Sequence, residues 1–195
     1  QKMLQLEREI LLEVPKSEDP TGILRLGVSE SLCYNILPHI LLEYKKRFPK
    51  IVIELQFITH DTFPSMLKQG ALDLVYTLNP YIESPELVML HKKPETLGFY
   101  ASPEYPLANR NRIKETDLEN IPLLLTSHSC NFRLMLIQDL AKYSVTPKIG
   151  IETSRKEILK QFAINQLGVA FIPDMVAKEE IENGKHEHEH KDGGA

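Results

Sequence analysis

Apolar and polar positions along this 195-residue chain change period several times, and each change marks an element. Met3, Leu6, Ile10 and Val14 recur at helical spacing, with Glu7, Arg8, Glu9 and Glu13 between them. That predicts an amphipathic helix over 2–14, stopped by Pro15. Leu24, Leu26 and Val28 then alternate with Arg25 and Gly27, the period of a strand. Ser29-Glu30-Ser31 reads as a helix start. The helix is expected to run to about Phe48 with Leu32, Ile36, Ile40, Tyr44 and Phe48 inward, until Pro49 stops it. Ile51, Ile53, Leu55 and Phe57 give a second strand. Thr59-His60-Asp61-Thr62 forms the next turn, a short helix follows to Gln69, and Leu72–Thr77 reads as a third strand. Strand, helix and strand at these lengths describe a parallel crossover, which is nearly always right-handed.

Asn79-Pro80 through Ser84-Pro85 interrupts the pattern and predicts passage into a second lobe. There, strands are expected at Val88–Leu90, Leu97–Ala101, Leu123–Thr126, Lys148–Glu152 and Val169–Ile172. A one-turn helix is expected at 116–119. Longer helices are expected at about 132–143, after Thr153-Ser154 to about Asn165, and from Pro173 to about Asn183. Strands separated by helices indicate an α/β protein with open parallel sheets, whose ligands bind at the carboxyl ends of the strands. The closing run, residues 185–195 with His186, His188 and His190 among acidic residues, reads as a disordered tail.

The formal net charge of −4 leaves no basic surplus for direct nucleic-acid binding. No apolar run is long enough for a bilayer, and the N-terminal residues do not have the pattern of a signal peptide, so a cytoplasmic protein without membrane contact is expected. Two distant cysteines, Cys33 and Cys130, make no disulfide framework. No nucleophile–base set, phosphate-cradling glycine loop or zinc-type cysteine pair is present. The chain therefore reads as a non-enzyme with no cofactor and no resident metal.

Five phrases, in order, carry a resemblance: Leu24-Arg25-Leu26-Gly27-Val28-Ser29-Glu30-Ser31; Phe48-Pro49 before a strand; Gln69-Gly70-Ala71-Leu72-Asp73-Leu74; Tyr105-Pro106-Leu107-Ala108; and Asn165 through Pro173. Together they resemble the effector-binding domain of LysR-type transcriptional regulators over roughly Gly22 to Gly184. The resemblance implies a two-lobed fold like that of type 2 periplasmic binding proteins, with a ligand cleft between the lobes and a linker helix before them. It divides the chain into a linker helix and connector (1–21), lobe I (22–79), lobe II (80–184) and the tail (185–195). It also implies a small, anionic effector and a homodimer or tetramer, with DNA contacted only through an N-terminal winged helix-turn-helix domain missing from this sequence. The family continues beyond Gly184 with a strand returning to lobe I. The His/Glu run stands there instead, so lobe I is expected to lack a strand and a helix and to expose apolar surface and a sheet edge.

Candidate contacts follow from the strand-end turns. Ser29 and Ser31 lie where free backbone N–H groups favour an anion, with one of the pair expected to be only a cap, and the resemblance assigns effector contact to the position of Ser31. Thr59 and His60 occupy the equivalent turn of the next crossover, and Thr77 lies near the connection between lobes. Thr126, Ser127, Ser129, Asn131 and Thr153 supply donors from lobe II, and Gly168 permits close backbone approach. Each of these polar groups also fits an ordinary turn or cap. Two rival readings share the scaffold: a free-standing solute-binding protein of a transport system, and an enzyme using Cys130 or His128.

Overall fold

The computed structural model describes residues 20–59, 61–79, 82, 84–108 and 113–182, and the backbone of Glu187–His190. The expected helix at 2–14 and the candidate residue His60 lie outside the described residues.

Lobe I is built on a parallel three-stranded sheet of order β2-β1-β3: β1 (Gly22–Val28), β2 (Ile51–Phe57) and β3 (Leu74–Tyr76). Helices α1 (Glu30–Asn35) and α2 (Leu37–Arg47) connect β1 to β2, and α3 (Phe63–Lys68) connects β2 to β3. The single helix expected to Phe48 is thus two helices, broken at Ile36, whose φ of −119° leaves helical geometry. Pro38 is the reason: it lacks an N–H and starts a helix better than it continues one. The break also turns the second segment. Leu37 rather than Ile40 enters the core with Leu26, Val28 and Leu32, and Ile40 is 48% exposed. Both edges of this sheet are unpaired among the described residues, and Val52, Leu55 and Phe57 of β2 are about half exposed.

Lobe II holds a mixed five-stranded sheet of order β6-β5-β7-β4-β8: β4 (Leu97–Ala101), β5 (Leu123–Leu125), β6 (Ile149–Glu152), β7 (Val169–Pro173) and β8 (Glu187–His190). Strands β5, β6 and β7 are parallel, whereas β4 runs against β7 and β8. Its central strands are nearly continuous apolar runs because both faces are covered. Leu123, Leu125, Val169 and Phe171 pack on one face with Leu136 and Leu140 of α4 (Asn131–Ala141). Leu124, Ala170 and Ile172 pack on the other with Leu159 and Ala163 of α5 (Lys156–Ile164) and Val176 and Ala177 of α6 (Asp174–Glu182). The one-turn helix is a 3-10 segment, Glu115–Asn120, and plants Leu118 in the first of these cores.

Two expectations are corrected here. Val88-Met89-Leu90 is not a strand: it lies in an extended connection, with Val88 84% and Leu90 78% exposed, because no neighbouring strand pairs with it. Glu187–His190, expected to be disordered, pairs antiparallel with β4 from Ala101↔Glu187 to Gly98↔His190. An unpaired edge of β4 offers a row of backbone donors and acceptors that such a segment satisfies.

Gly168 has φ +154°, and a Cβ there would overlap the carbonyl oxygen of Pro122. The residue lets β7 enter the sheet against the chain leading into β5. Gly168→Ala is expected to cost about 2–4 kcal/mol, since backbone strain and overlap act together. Gly70→Ala, at φ +70° with nothing near its Cβ, bears the strain alone and is expected to cost about 1 kcal/mol. Urea denaturation of the two variants checks the ranking.

Candidate functional site

Parallel strands end together, and the polar turns that follow them cluster. In lobe I, the carboxyl ends of β1, β2 and β3 carry Ser29-Glu30-Ser31, Thr59 and Thr77. In lobe II, the carboxyl ends of β5, β6 and β7 carry Thr126-Ser127, Thr153 and Asp174, and the antiparallel β4 brings Glu95 and Thr96 to the same end. These two sets are in contact. Arg155 Nη1 donates to Glu30 Oε1 at 2.8 Å, Asn35 Nδ2 to Glu157 Oε1 at 2.8 Å, and Asn131 Nδ2 to Asn79 Oδ1 at 3.1 Å. Met175 adds an apolar contact from α6 to the lobe I core.

Within lobe I, Ser29 holds the N-cap position of α1 but makes no capping bond. Its Oγ lies 2.9 Å from Thr77 Oγ1 and accepts from Leu78 N at 3.3 Å. Strand β3 runs beside β1, so the chain leaving β3 presents a hydroxyl and an N–H closer than the helix does. Ser29 and Thr77 thereby tie the end of β3 to the end of β1. Ser31 is buried at 3% exposure, and its carbonyl accepts from Asn35. Thr59 is exposed and bonds Thr62 in the turn before α3.

Within lobe II, buried Thr126 gives its carbonyl to Arg133 Nη1 at 2.8 Å. The same Nη1 reaches Glu152 Oε2 at 2.6 Å, and His128 Nε2 stands 3.3 Å from that oxygen. Arg133 was missed in the sequence reading. A charged side chain at the start of an otherwise apolar helical stripe with Leu136 and Leu140, seven residues after Thr126, was the signal for it. Ser127 and Ser129 lie with their hydroxyls 3.5 Å apart, and Thr153 Oγ1 accepts from Arg155 N at 3.3 Å. The helix expected to be capped by Thr153-Ser154 begins instead after Arg155, its N-cap. Gly168 is corrected as a site residue: it precedes β7, at the opposite end of β5 from Thr126. Cys33 and Cys130 are both free and half-buried.

A second polar cluster joins β4 to α6. Asp174 N donates to the Thr96 carbonyl, Met175 N donates to Glu95 Oε1 at 3.0 Å, and Tyr100 OH donates to Asp174 Oδ1 at 2.5 Å. Burial pushes the Glu95 carboxyl up, the Met175 amide opposes this, and the Asp174 charge adds to it. Burial and the Glu95 charge likewise push the Tyr76 hydroxyl up. Beside them, burial lowers the Lys160 ammonium, but hydrogen bonds to Glu157 and Glu180 outweigh it and hold it above the ordinary lysine range. Among the described residues no group of three His, Cys, Asp or Glu could hold a metal, and no helix is long and apolar enough to cross a membrane. The strand-end loops thus offer hydroxyls, amides, carboxylates and the half-exposed Arg155 guanidinium, groups that can hold a small polar molecule.

The model of the LysR substrate binding domain matches residues 17–190. The chain belongs to that family. The HTH-type transcriptional regulator YwqM of Bacillus subtilis is 27% identical over 186 residues, which are 95% of this chain and 63% of that protein. TtuA of Agrobacterium vitis, another HTH-type regulator, is 26% identical over 161 residues, 80% of this chain and 52% of that one. The chain thus spans less than two thirds of these relatives' length. Among solved structures, the cofactor-binding domain of the Cbl transcriptional regulator superposes with TM-score 0.76 at 16% identity, covering 90% of this chain and 76% of that one. The CcmR regulatory domain of Synechocystis PCC6803 in complex with 2-PG gives 0.70 at 22% identity, covering 86% and 80%. The effector-binding domain of QuiR in complex with shikimate gives 0.72 at 15% identity, covering 90% and 83%. These likenesses establish the two-lobed, periplasmic-binding-protein-like fold.

The Arg133 hydrogen bond holds the Glu152 carboxyl below its ordinary value of 4.5, with the Arg133 and His128 charges adding to the effect against burial. A carboxyl lowered in the folded state stabilises above its unfolded pKa, and that contribution is lost as pH falls through the folded pKa. The parent chain should therefore exceed Glu152→Gln in stability at about pH 7, and the gap should close toward about pH 3. Urea denaturation across that range tests it, and a gap independent of pH refutes it.

Proposed function

We propose that this chain is the ligand-sensing domain of a LysR-type transcriptional regulator, taking a small, anionic metabolite between its two lobes. The observation that carries this reading is the meeting of the strand-end loops of both lobes across the Glu30–Arg155, Asn35–Glu157 and Asn79–Asn131 contacts. Ligand in that position touches both lobes and favours one relative orientation over another, which is the condition for a regulatory response. Ser31, Thr59, Thr126, Ser127, Ser129, Asn131 and Thr153 are the proposed contacts, with Ser29 and Thr77 holding the lobe I loops in place. The family match and the helix-turn-helix relatives support a regulator that acts in the cytoplasm as a homodimer or tetramer and reaches DNA through a separate winged helix-turn-helix domain. The complexes of CcmR with 2-PG and QuiR with shikimate support an anionic effector. In this reading the domain performs no catalysis. Changing effector occupancy changes the lobe arrangement, and the linker helix passes that change to the DNA-binding domains.

A thermal-shift screen of small carboxylates and amino acids tests the proposal, because a ligand bound only by the folded state raises Tm. Ser31→Ala and Thr153→Val should each weaken the best hit by about five- to tenfold, the worth of one hydrogen bond, while leaving the unliganded Tm within about 2 °C. A hit whose affinity is unchanged in both variants removes the cleft assignment.

A further inference from the structure

The cations at the cleft edge differ in how they are held. Arg133 is 4% exposed and is engaged by the Thr126 carbonyl and Glu152. Lys160 is 9% exposed and lies between Glu157 and Glu180. Arg155 is different: its side chain is 56% exposed and its partner, Glu30, belongs to the other lobe. Glu30 stands between Ser29 and Ser31, at the carboxyl end of β1, and Arg155 stands two residues beyond Thr153, at the carboxyl end of β6. The pair therefore lies among the same loops proposed to hold the effector.

The pair is joined by one hydrogen bond, Nη1 to Oε1. A guanidinium can give two parallel bonds to a carboxylate or phosphate, so Arg155 is underused by its present partner. An ion pair this exposed also contributes little net stability. An incoming anion that accepts from Arg155 in both positions gains more than is lost when Glu30 returns to solvent.

We propose that Glu30 occupies the place of the effector's anionic group at Arg155, so that effector binding exchanges a cross-lobe ion pair for a ligand contact. This rests on the cleft being the effector site and assigns the charge that selects the ligand. It also explains how occupancy reaches the lobe arrangement. Binding removes the Glu30 tie, while the Asn35–Glu157 tie beside it is left in place. The lobes are then held by fewer contacts, Asn35–Glu157 and Asn79–Asn131 among them, and the ligand's preference for one arrangement decides where they rest. An anion with a tetrahedral or carboxylate head fits; a cationic or neutral ligand does not displace Glu30.

The test uses inorganic phosphate as the probe, titrated calorimetrically into the 195-residue chain at constant ionic strength. Glu30→Gln keeps the side-chain shape and removes the competing charge, and should tighten phosphate binding by about threefold or more, the scale of an exposed ion pair. Arg155→Gln in the Glu30→Gln background should abolish that gain. A smaller gain, no binding by Glu30→Gln, or the gain persisting in the double variant overturns the proposal. Failure here with the Ser31→Ala and Thr153→Val results intact removes the Glu30–Arg155 exchange and leaves the sensing reading. Failure of those variants with the phosphate result intact leaves Arg155 an anion site and removes the sensing cleft.

Discussion

A parallel strand must be left at its carboxyl end by a turn, and in both lobes three parallel strands end at one edge of a sheet. Every other feature of the cleft depends on that constraint. The helices that follow β1, β2, β5, β6 and β7 cover the sheet faces, so the apolar side chains are placed on strands and helices and the turns after the strands lie outside the cores. These turns carry Ser, Thr, Asn and charged residues, whose side chains bond within the loops and across to the other lobe. The antiparallel β4 reinforces the arrangement. Because it runs against β7, it brings its amino end, with Glu95 and Thr96, to the same edge.

The contacts across this edge are mostly polar, and that decides how the lobes behave. Lobe II is held internally by two apolar layers in which Tyr100, Leu123, Leu124, Leu125 and Ile172 are fully buried. Burying such a side chain is worth roughly 1.5–3 kcal/mol, so the lobe is stiff on the scale of a ligand's binding energy. Between the lobes, the contacts seen among the described residues include Met175 on the lobe I core, the exposed ion pairs Arg155–Glu30 and Lys68–Glu86, and single hydrogen bonds worth about 1 kcal/mol net each. A molecule that makes three or four hydrogen bonds can therefore reorganise the interface without disturbing either core. Stiff halves with a soft polar junction are what differential binding requires.

The fold was largely legible in the sequence because its strands are patterned by burial. Leu24, Leu26 and Val28 alternate because they share the face packed in the lobe I core, with Gly27 between them leaving room for Leu72 on the other face, and Val169–Pro173 runs unbroken because both faces are buried. Local patterning failed where a tertiary partner decided the outcome. Val88-Met89-Leu90 has strand composition and no strand beside it, whereas Glu187–His190 has tail composition and an open edge within reach. Pro38 was visible, but its effect on which residue turns inward, Leu37 or Ile40, depends on the crossing of α1 and α2. Among the candidate contacts, the loop residues could be read from the strand ends. The direction of Ser29 toward Thr77 could not, because it depends on a residue 48 positions away in sequence. Gly168 was misplaced for a related reason: its close backbone approach was legible, but the end of the sheet it serves is fixed by the pairing of β7 with β5.

One carboxylate links lobe I to the contact between α5 and α6. Glu157 accepts from Asn35 of lobe I through Oε1 and from Lys160 through Oε2, and Lys160 in turn holds Glu180 of α6. Lys160 and Glu180 are nearly buried, so neither can be left without its partner at small cost. Glu157 is more exposed and can exchange Asn35 for water. The strong end of this network is thus fixed between α5 and α6, and the weak end faces lobe I. Motion of lobe I is then taken up at Asn35, while the pairing of α5 with α6 stays intact. That asymmetry places the yielding contact at the cleft and keeps the body of lobe II as the fixed frame against which lobe I turns.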